Sequence, residues 1–148
     1  DVESTLNAKL FAEWKRSLFS LKTEATHDLL GRGHGLTAAL DATVAVPFFP
    51  PWFFAAGPGV TWIDDEHAQT FFAVDSAQSA RSGLPPHAAG AGLRDVHFAV
   101  VATRRLPKQW SATTIASLSR LRGDAAESPL TERDTELSVL FIVSRRIR

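Results

Sequence analysis

The chain has 148 residues, of which 45% are hydrophobic and 22% are charged, and its formal net charge is zero. This composition indicates a folded domain, argues against disorder, and gives the whole chain no excess of positive charge for binding a polyanion. Cysteine is absent, which excludes disulfides, thiolate metal ligands and thiol nucleophiles.

The two ends of the chain carry little targeting information. Methionine is absent even at position 1, so we interpret the N-terminus as processed or trimmed and predict no cellular compartment. No run of about 18 apolar residues occurs, and the sequence therefore predicts no transmembrane helix.

The first thirty-one residues have apolar side chains at helical spacing. Intervals of three and four residues separate Leu6, Leu10, Trp14, Leu18, Leu21 and Ala25. Such a stripe is typical of an amphipathic helix, and Gly31 can end it. We therefore predict a long helix over residues 1–31 that packs on a sheet and buries Trp14.

A strand and an aromatic segment follow. Apolar residues alternate over 36–46, which is the period of a half-buried strand. The segment 47–59 contains four prolines and two glycines, which disfavour a regular helix or a central strand, so we predict a loop. Its five aromatic side chains are Phe48, Phe49, Trp52, Phe53 and Phe54.

The second half predicts short elements. We expect a hairpin of strands Val60–Ile63 and Thr70–Val74, a long loop over 75–93, interior strands Val96–Thr103 and Glu136–Ser144, and a short helix Ser111–Arg122 before the last strand. Together these elements predict a single soluble α+β domain, 1–148, in which the long N-terminal helix packs on a mainly antiparallel sheet.

Catalytic signatures are weak in this sequence. Asp95 and His97 lie two residues apart on one predicted strand and would be neighbours on its face, which makes them the best candidates for an acid/base pair. The acidic run 64–66 resembles a solvated turn, and we predict no metal and no cofactor.

The function that we predict is a non-enzymatic interaction subunit that docks into a larger protein assembly. Clustered aromatic and basic side chains are typical of interfaces. The predicted partner-binding residues are Phe48, Phe49, Trp52, Phe53, Phe54, Arg104, Arg105 and Lys108. A nucleic acid is a further candidate partner, because basic residues recur from Arg104 to Arg148. The alternative is a small-molecule-binding or cofactor-free enzyme domain with an apolar pocket lined by Trp14, Trp62, Phe72 and Phe98.

Overall fold

The computed structural model describes residues 6–31, 33–47 and 50–147. Seven strands form one sheet in which each strand is antiparallel to the next along the chain, in the order β1 to β7. The elements are β1 Asn7–Arg16, β2 Phe19–Asp28, β3 Leu36–Pro47, β4 Trp52–Ile63, α1 Asp65–Phe72, α2 Ser76–Ser82, β5 Gly92–Arg105, β6 Trp110–Leu121, α3 Gly123–Glu127 and β7 Thr135–Arg145.

The two ends of the sheet differ. One end carries the short connections β1–β2, β3–β4 and β5–β6, and we call it the turn end. The other carries the longer connections β2–β3, β4–β5 and β6–β7, which include all three described helices, and we call it the helical end. None of these helices is long and apolar enough to cross a membrane.

The predicted N-terminal helix, and with it the α+β class, is wrong. Residues 7–28 form the antiparallel hairpin β1–β2, in which Trp14 pairs with Leu21, and 57% of Trp14 is exposed. The turn at Ser17, whose φ is +54°, explains the error. Apolar residues occupy even positions in β1 and odd positions in β2, so the change of phase at the turn imitates helical spacing.

The predicted loop 47–59 is also wrong. Pro47 ends β3, and Trp52–Ile63 is the continuous strand β4, which pairs with β3 and β5. Phe48 and Phe49 lie outside the described residues. Pro58 is accommodated within β4, and Gly57 allows the backbones of β3 and β4 to approach closely: a Cβ atom there would meet the carbonyl oxygen of Ala42.

Other elements of the second half differ as well. The segment predicted as the helix 111–122 forms β6, Thr70 lies in α1, and the predicted long loop contains α2. Val96–Thr103 is part of the interior strand β5, as predicted, whereas Glu136–Ser144 lies in the edge strand β7.

The buried core is small and lies at the helical end. Ile63, Ala68 and Ala89 form it, with Phe72 and Ala73 packed against them. No large side chain in the described residues is fully buried. The sheet is therefore joined mainly by its strand pairing, and many large apolar side chains on it remain exposed.

Candidate functional site

One face of the sheet is apolar from strand to strand. Successive side chains of a strand point to opposite faces, and the register brings Val44, Ala56 and Val100 side by side on this face. We call it the apolar face. Between the strand ends it consists of Leu10, Ala12, Trp14, Leu21, Thr23, Ala25, Ala38, Leu40, Ala42, Val44, Phe54, Ala56, Pro58, Val60, Val96, Phe98, Val100, Ala102, Ala112, Thr114, Ala116, Leu118, Leu137, Val139, Phe141 and Val143.

The apolar face carries no charged residue in its middle and is open to its surroundings. Exposed fractions reach 50% for Phe98, 65% for Val139 and 76% for Leu10. Its arginines lie at the strand ends: Arg16, Arg104, Arg120 and Arg145. A continuous exposed apolar surface of this kind marks a contact with another protein or with lipid.

All four tryptophans lie on the apolar face and near its ends. Trp14, Trp52 and Trp110 lie toward the turn end, and Trp62 lies toward the helical end. The middle of the face between them consists of aliphatic side chains, many of them alanine, with a few phenylalanine and threonine side chains. The tryptophans are therefore absent from the centre of the face and lie at its two borders.

The opposite face, the polar face, carries the charged side chains of the strand middles, with small, hydroxylated and some apolar ones such as Val101, Ile115 and Leu140. One row across all seven strands consists of Glu13, Lys22, Asp41, Gly59, His97, Ser119 and Glu136. Glu24 lies on the same face, where it accepts from Lys9 Nζ at 2.6 Å and from Lys22 Nζ at 2.9 Å. Charges in the middle of the strands are thus confined to the polar face and are paired there.

His97 bridges two strands on the polar face. Its Nδ1 lies 3.0 Å from Asp95 Oδ1 and its Nε2 lies 2.8 Å from Asp41 Oδ1. Asp95 is buried and also accepts from Arg94 Nε at 2.7 Å. Gly59 lies between Asp41 and His97, and a Cβ atom at that position would collide with both side chains.

This geometry joins β3 to β5 across β4. An imidazole donates from both ring nitrogens only as the imidazolium, so protonated His97 ties one cation to two carboxylates. Strand spacing placed Asp95 beside His97 in the sequence, but Asp41 was missed, because only the strand register reveals it. With both nitrogens engaged, the ring offers no free nitrogen for accepting a substrate proton.

The turn end gathers most of the predicted partner-binding residues. Trp52 pairs with Arg104 across β4 and β5, and the guanidinium carbon lies 5.4 Å from the centre of a Trp52 ring. Arg105 N donates to Pro51 O at 3.0 Å, and Lys108 lies in the adjacent turn. Phe54 shares the face of Trp52, and Phe53 points to the opposite face. Trp52 and Phe53 are 40% and 43% exposed.

A second arginine–tryptophan pair, Arg145 with Trp110, was not predicted. The guanidinium carbon of Arg145 lies 5.7 Å from the centre of a Trp110 ring, on the neighbouring strands β6 and β7. Arg120 and Arg122, in contrast, lie at the helical end. The basic residues that the sequence suggested as one surface for a nucleic acid are therefore divided between the two ends of the sheet.

The residues of the predicted apolar pocket do not meet. Trp14, Trp62 and Phe98 are exposed on the apolar face, on three different strands, whereas Phe72 packs at the helical end. No helix covers the apolar face in the described residues, because the segment predicted to do so forms β1 and β2.

The acidic run at residues 64–66 has a structural role. Asp64 caps α1 by accepting from His67 N at 2.9 Å, and it also accepts from Leu36 N at 2.9 Å. Asp65 accepts from Ala91 N at 2.7 Å. No group of three metal-ligating side chains suited to an ion occurs in the part of the chain that the structure describes.

His67 is a half-buried histidine at the helical end. Burial lowers the pKa of its ring below the ordinary value of 6.5, while Nδ1 donates to His34 O at 2.7 Å and the ring packs on Phe71. The unfolded chain therefore takes up the proton first as the pH falls, so this contribution to stability is complete above about pH 6.5 and is lost as the pH falls toward the lowered pKa. We expect the hydrogen-exchange protection of α1, corrected for the intrinsic pH dependence of exchange, to decrease over this range.

The matched variant is His67→Asn, which keeps a donor near the position of Nδ1 but does not titrate. Its α1 exchange, corrected for the intrinsic pH dependence of exchange, should be flat where that of the wild type changes. An equal acid response in both proteins would show that His67 is not the group responsible.

Comparison with known proteins identifies a family for this chain. The family model described as MltA-interacting protein MipA matches residues 1–147, and the chain belongs to that family. No curated protein and no solved structure gives a significant match. The description of the family indicates a role in protein interaction.

Proposed function

We propose that this MipA-family chain is a non-enzymatic scaffold that lies with its apolar face against membrane lipid and binds a protein partner at its turn end. The observation that carries the proposal is the segregation of the two faces, with the tryptophans at the borders of the apolar one. The lipid contact takes the place of our expectation of a soluble domain.

The dimensions and chemistry of the apolar face fit a bilayer. Its strands have 10 to 14 residues. A strand needs about 9–11 residues, when tilted, to cross the hydrocarbon layer. Tryptophan is enriched at the two membrane–water interfaces, where its ring contacts apolar chains and its N–H contacts water. Charged groups are absent from the middle of the face, as contact with hydrocarbon requires.

The charged groups of the strands support the same orientation. Lys22, Glu24, Asp41 and His97 are on the polar face, away from the proposed lipid, and each is paired with an opposite charge. A surface that simply awaited a protein partner would not require this strict division, since protein interfaces tolerate charges at their rims.

The protein partner is proposed from the family and from the turn end. The family's name describes an interaction with MltA, and we propose that this chain binds a partner of that kind. The binding residues proposed are Phe48, Phe49, Trp52, Phe53, Phe54, Arg104, Arg105 and Lys108. Exposed tryptophan and arginine at one site favour an interface, because these two residue types dominate binding hot spots.

A binding assay with purified MltA tests the partner assignment. Replacing Trp52 and Phe53 together by Ser should weaken binding at least tenfold, since removal of a central aromatic anchor typically costs about 2 kcal/mol or more. The midpoint of unfolding in detergent should change little, because both side chains are substantially exposed.

Trp62→Ser is the matched control, as it removes a tryptophan from the same face at the helical end. It should leave MltA binding unchanged. Equal losses in both variants would contradict docking at the turn end, and failure of the wild-type chain to bind MltA would contradict the partner.

A further inference from the structure

A cavity of about 640 Å³ opens at the turn end, between the β5–β6 turn and the last residues of β7. Arg105, Arg145 and Arg146 line it, together with Gln109, Ser111 and Ser144. Neither Asp nor Glu is among its lining residues. In the described residues, no carboxylate lies within salt-bridge distance of any of the three arginines. Their positive charges are therefore not neutralised by an Asp or Glu of this part of the chain.

Backbone hydrogen bonds hold the frame of this cavity in place. Arg146 N donates to Gln109 O at 3.1 Å, which fixes the end of β7 beside the turn. Leu106 N donates to Trp110 O at 2.8 Å and closes the turn itself. The guanidinium of Arg145 lies over Trp110. A preorganised frame lowers the entropy that is lost when a ligand binds.

Hydroxyl groups complete the donor set. Ser111 Oγ and Ser144 Oγ lie 2.8 Å apart on neighbouring strands, so one proton lies between them and the second remains available to a ligand. Guanidinium groups bind phosphate oxygens with two parallel N–H donors, which makes arginine the preferred residue for phosphate. The chemistry of the cavity is therefore that of a phosphate site.

The cavity lies at the border between the two faces of the sheet. Trp110 and Arg145 belong to the apolar face, and Ser111 and Ser144 belong to the polar face. We propose that it binds the phosphate of an anionic phospholipid headgroup. This inference depends on the proposed function, because lipid against the apolar face would bring headgroups to the level of Trp110.

Vesicle flotation of the full chain tests the inference with two lipid compositions, phosphatidylcholine alone and phosphatidylcholine mixed with phosphatidylglycerol. The wild type should prefer the mixed vesicles. Replacing Arg145 and Arg146 by Gln should reduce that preference about 25-fold, since each basic residue at an anionic surface changes partitioning roughly fivefold. The control with the same loss of charge at the helical end, Arg81→Gln with Arg133→Gln, should keep the preference.

The outcomes separate the two proposals. Without wild-type binding to either vesicle, the lipid contact of the proposed function fails. Binding to both vesicles without preference, or equal losses in the two double variants, overturns the headgroup site alone. Binding of inorganic phosphate that the Arg145→Gln and Arg146→Gln replacements abolish, while the preference for the mixed vesicles stays unchanged, assigns the cavity to free phosphate. If the double variant of Arg145 and Arg146 loses affinity for MltA but keeps its preference for the mixed vesicles, the cavity is assigned to a protein partner. Either of these last two results overturns the assignment of the cavity to lipid.

Discussion

Replacing Val100 by Arg is expected to lower the free energy of unfolding in lipid by about 2–4 kcal/mol, the cost of an arginine on a lipid-facing strand near the middle of a bilayer. Val100 lies on the apolar face midway along β5, between Ala56 and Ala116, and 40% of it is exposed. A guanidinium at this position would have to reach several residues along the strand to leave the hydrocarbon layer. Denaturant titration of the chain in lipid vesicles measures the loss.

The control for this prediction is the preceding residue. Ala99 points to the polar face, beside Gly57 and Ser117. The variant Ala99→Arg introduces the same group into the same strand but keeps it away from lipid, so its cost should be clearly smaller. Equal losses, or a larger loss for Ala99→Arg, would contradict the assignment of the apolar face to lipid. In water or mild denaturant without lipid, the difference between the two variants should disappear.

The first hairpin shows why sequence periodicity misjudged the fold. Leu10 and Trp14 are four residues apart, which fits one face of a helix, but they are also two alternations apart on a strand. A turn of two residues then moves the apolar positions to Leu21 and Ala25. At these residues a helix and a strand predict the same apolar positions. Only the pairing of β2 with β3, which is not visible in the local sequence, shows that the segment forms strands.

The sixth strand was misjudged for a related reason. Ile115, Leu118 and Leu121 have the spacing of a short helix, yet they point to alternating faces of β6. β-Branched residues favour a strand, and Thr113, Thr114 and Ile115 occur in succession in β6. In a sheet whose apolar face contacts lipid, as we propose, the apolar side chains point outward, whereas in a water-soluble domain they point into the core. Predictions that assume apolar side chains to be buried in a protein core are therefore wrong for this chain.

The candidate site was predictable only in part. The sequence supplied Trp52, Arg104 and Lys108 as binding candidates, but it could not show that β4 and β5 place Trp52 and Arg104 side by side. Arg145 lies at the same end of the sheet because of the β6–β7 pairing, which places it beside Trp110. Contacts of this kind depend on strand order and register, which local patterns do not contain.

Gly57→Ala is expected to destabilise the sheet by about 3 kcal/mol, the upper part of the range for forcing extra atoms into a closely packed site. The added Cβ would meet the carbonyl oxygen of Ala42 and approach the backbone of Thr43. Backbone atoms of a paired strand cannot rotate aside as a side chain can, so β3 and β4 would have to separate. A chemical-denaturation midpoint measures the loss.

Gly92→Ala provides the matched control for that measurement. Gly92 begins β5, has no atom within 4 Å of the position of an added Cβ, and does not have a left-handed backbone conformation. Its replacement should change the stability by no more than about 0.5 kcal/mol, as expected for an exposed site. If Gly57→Ala were equally harmless, the close approach of β3 to β4 would not limit which residues fit at position 57. If instead both replacements were costly, a general intolerance of these strands to side chains would explain the loss, and the contact with Ala42 would not.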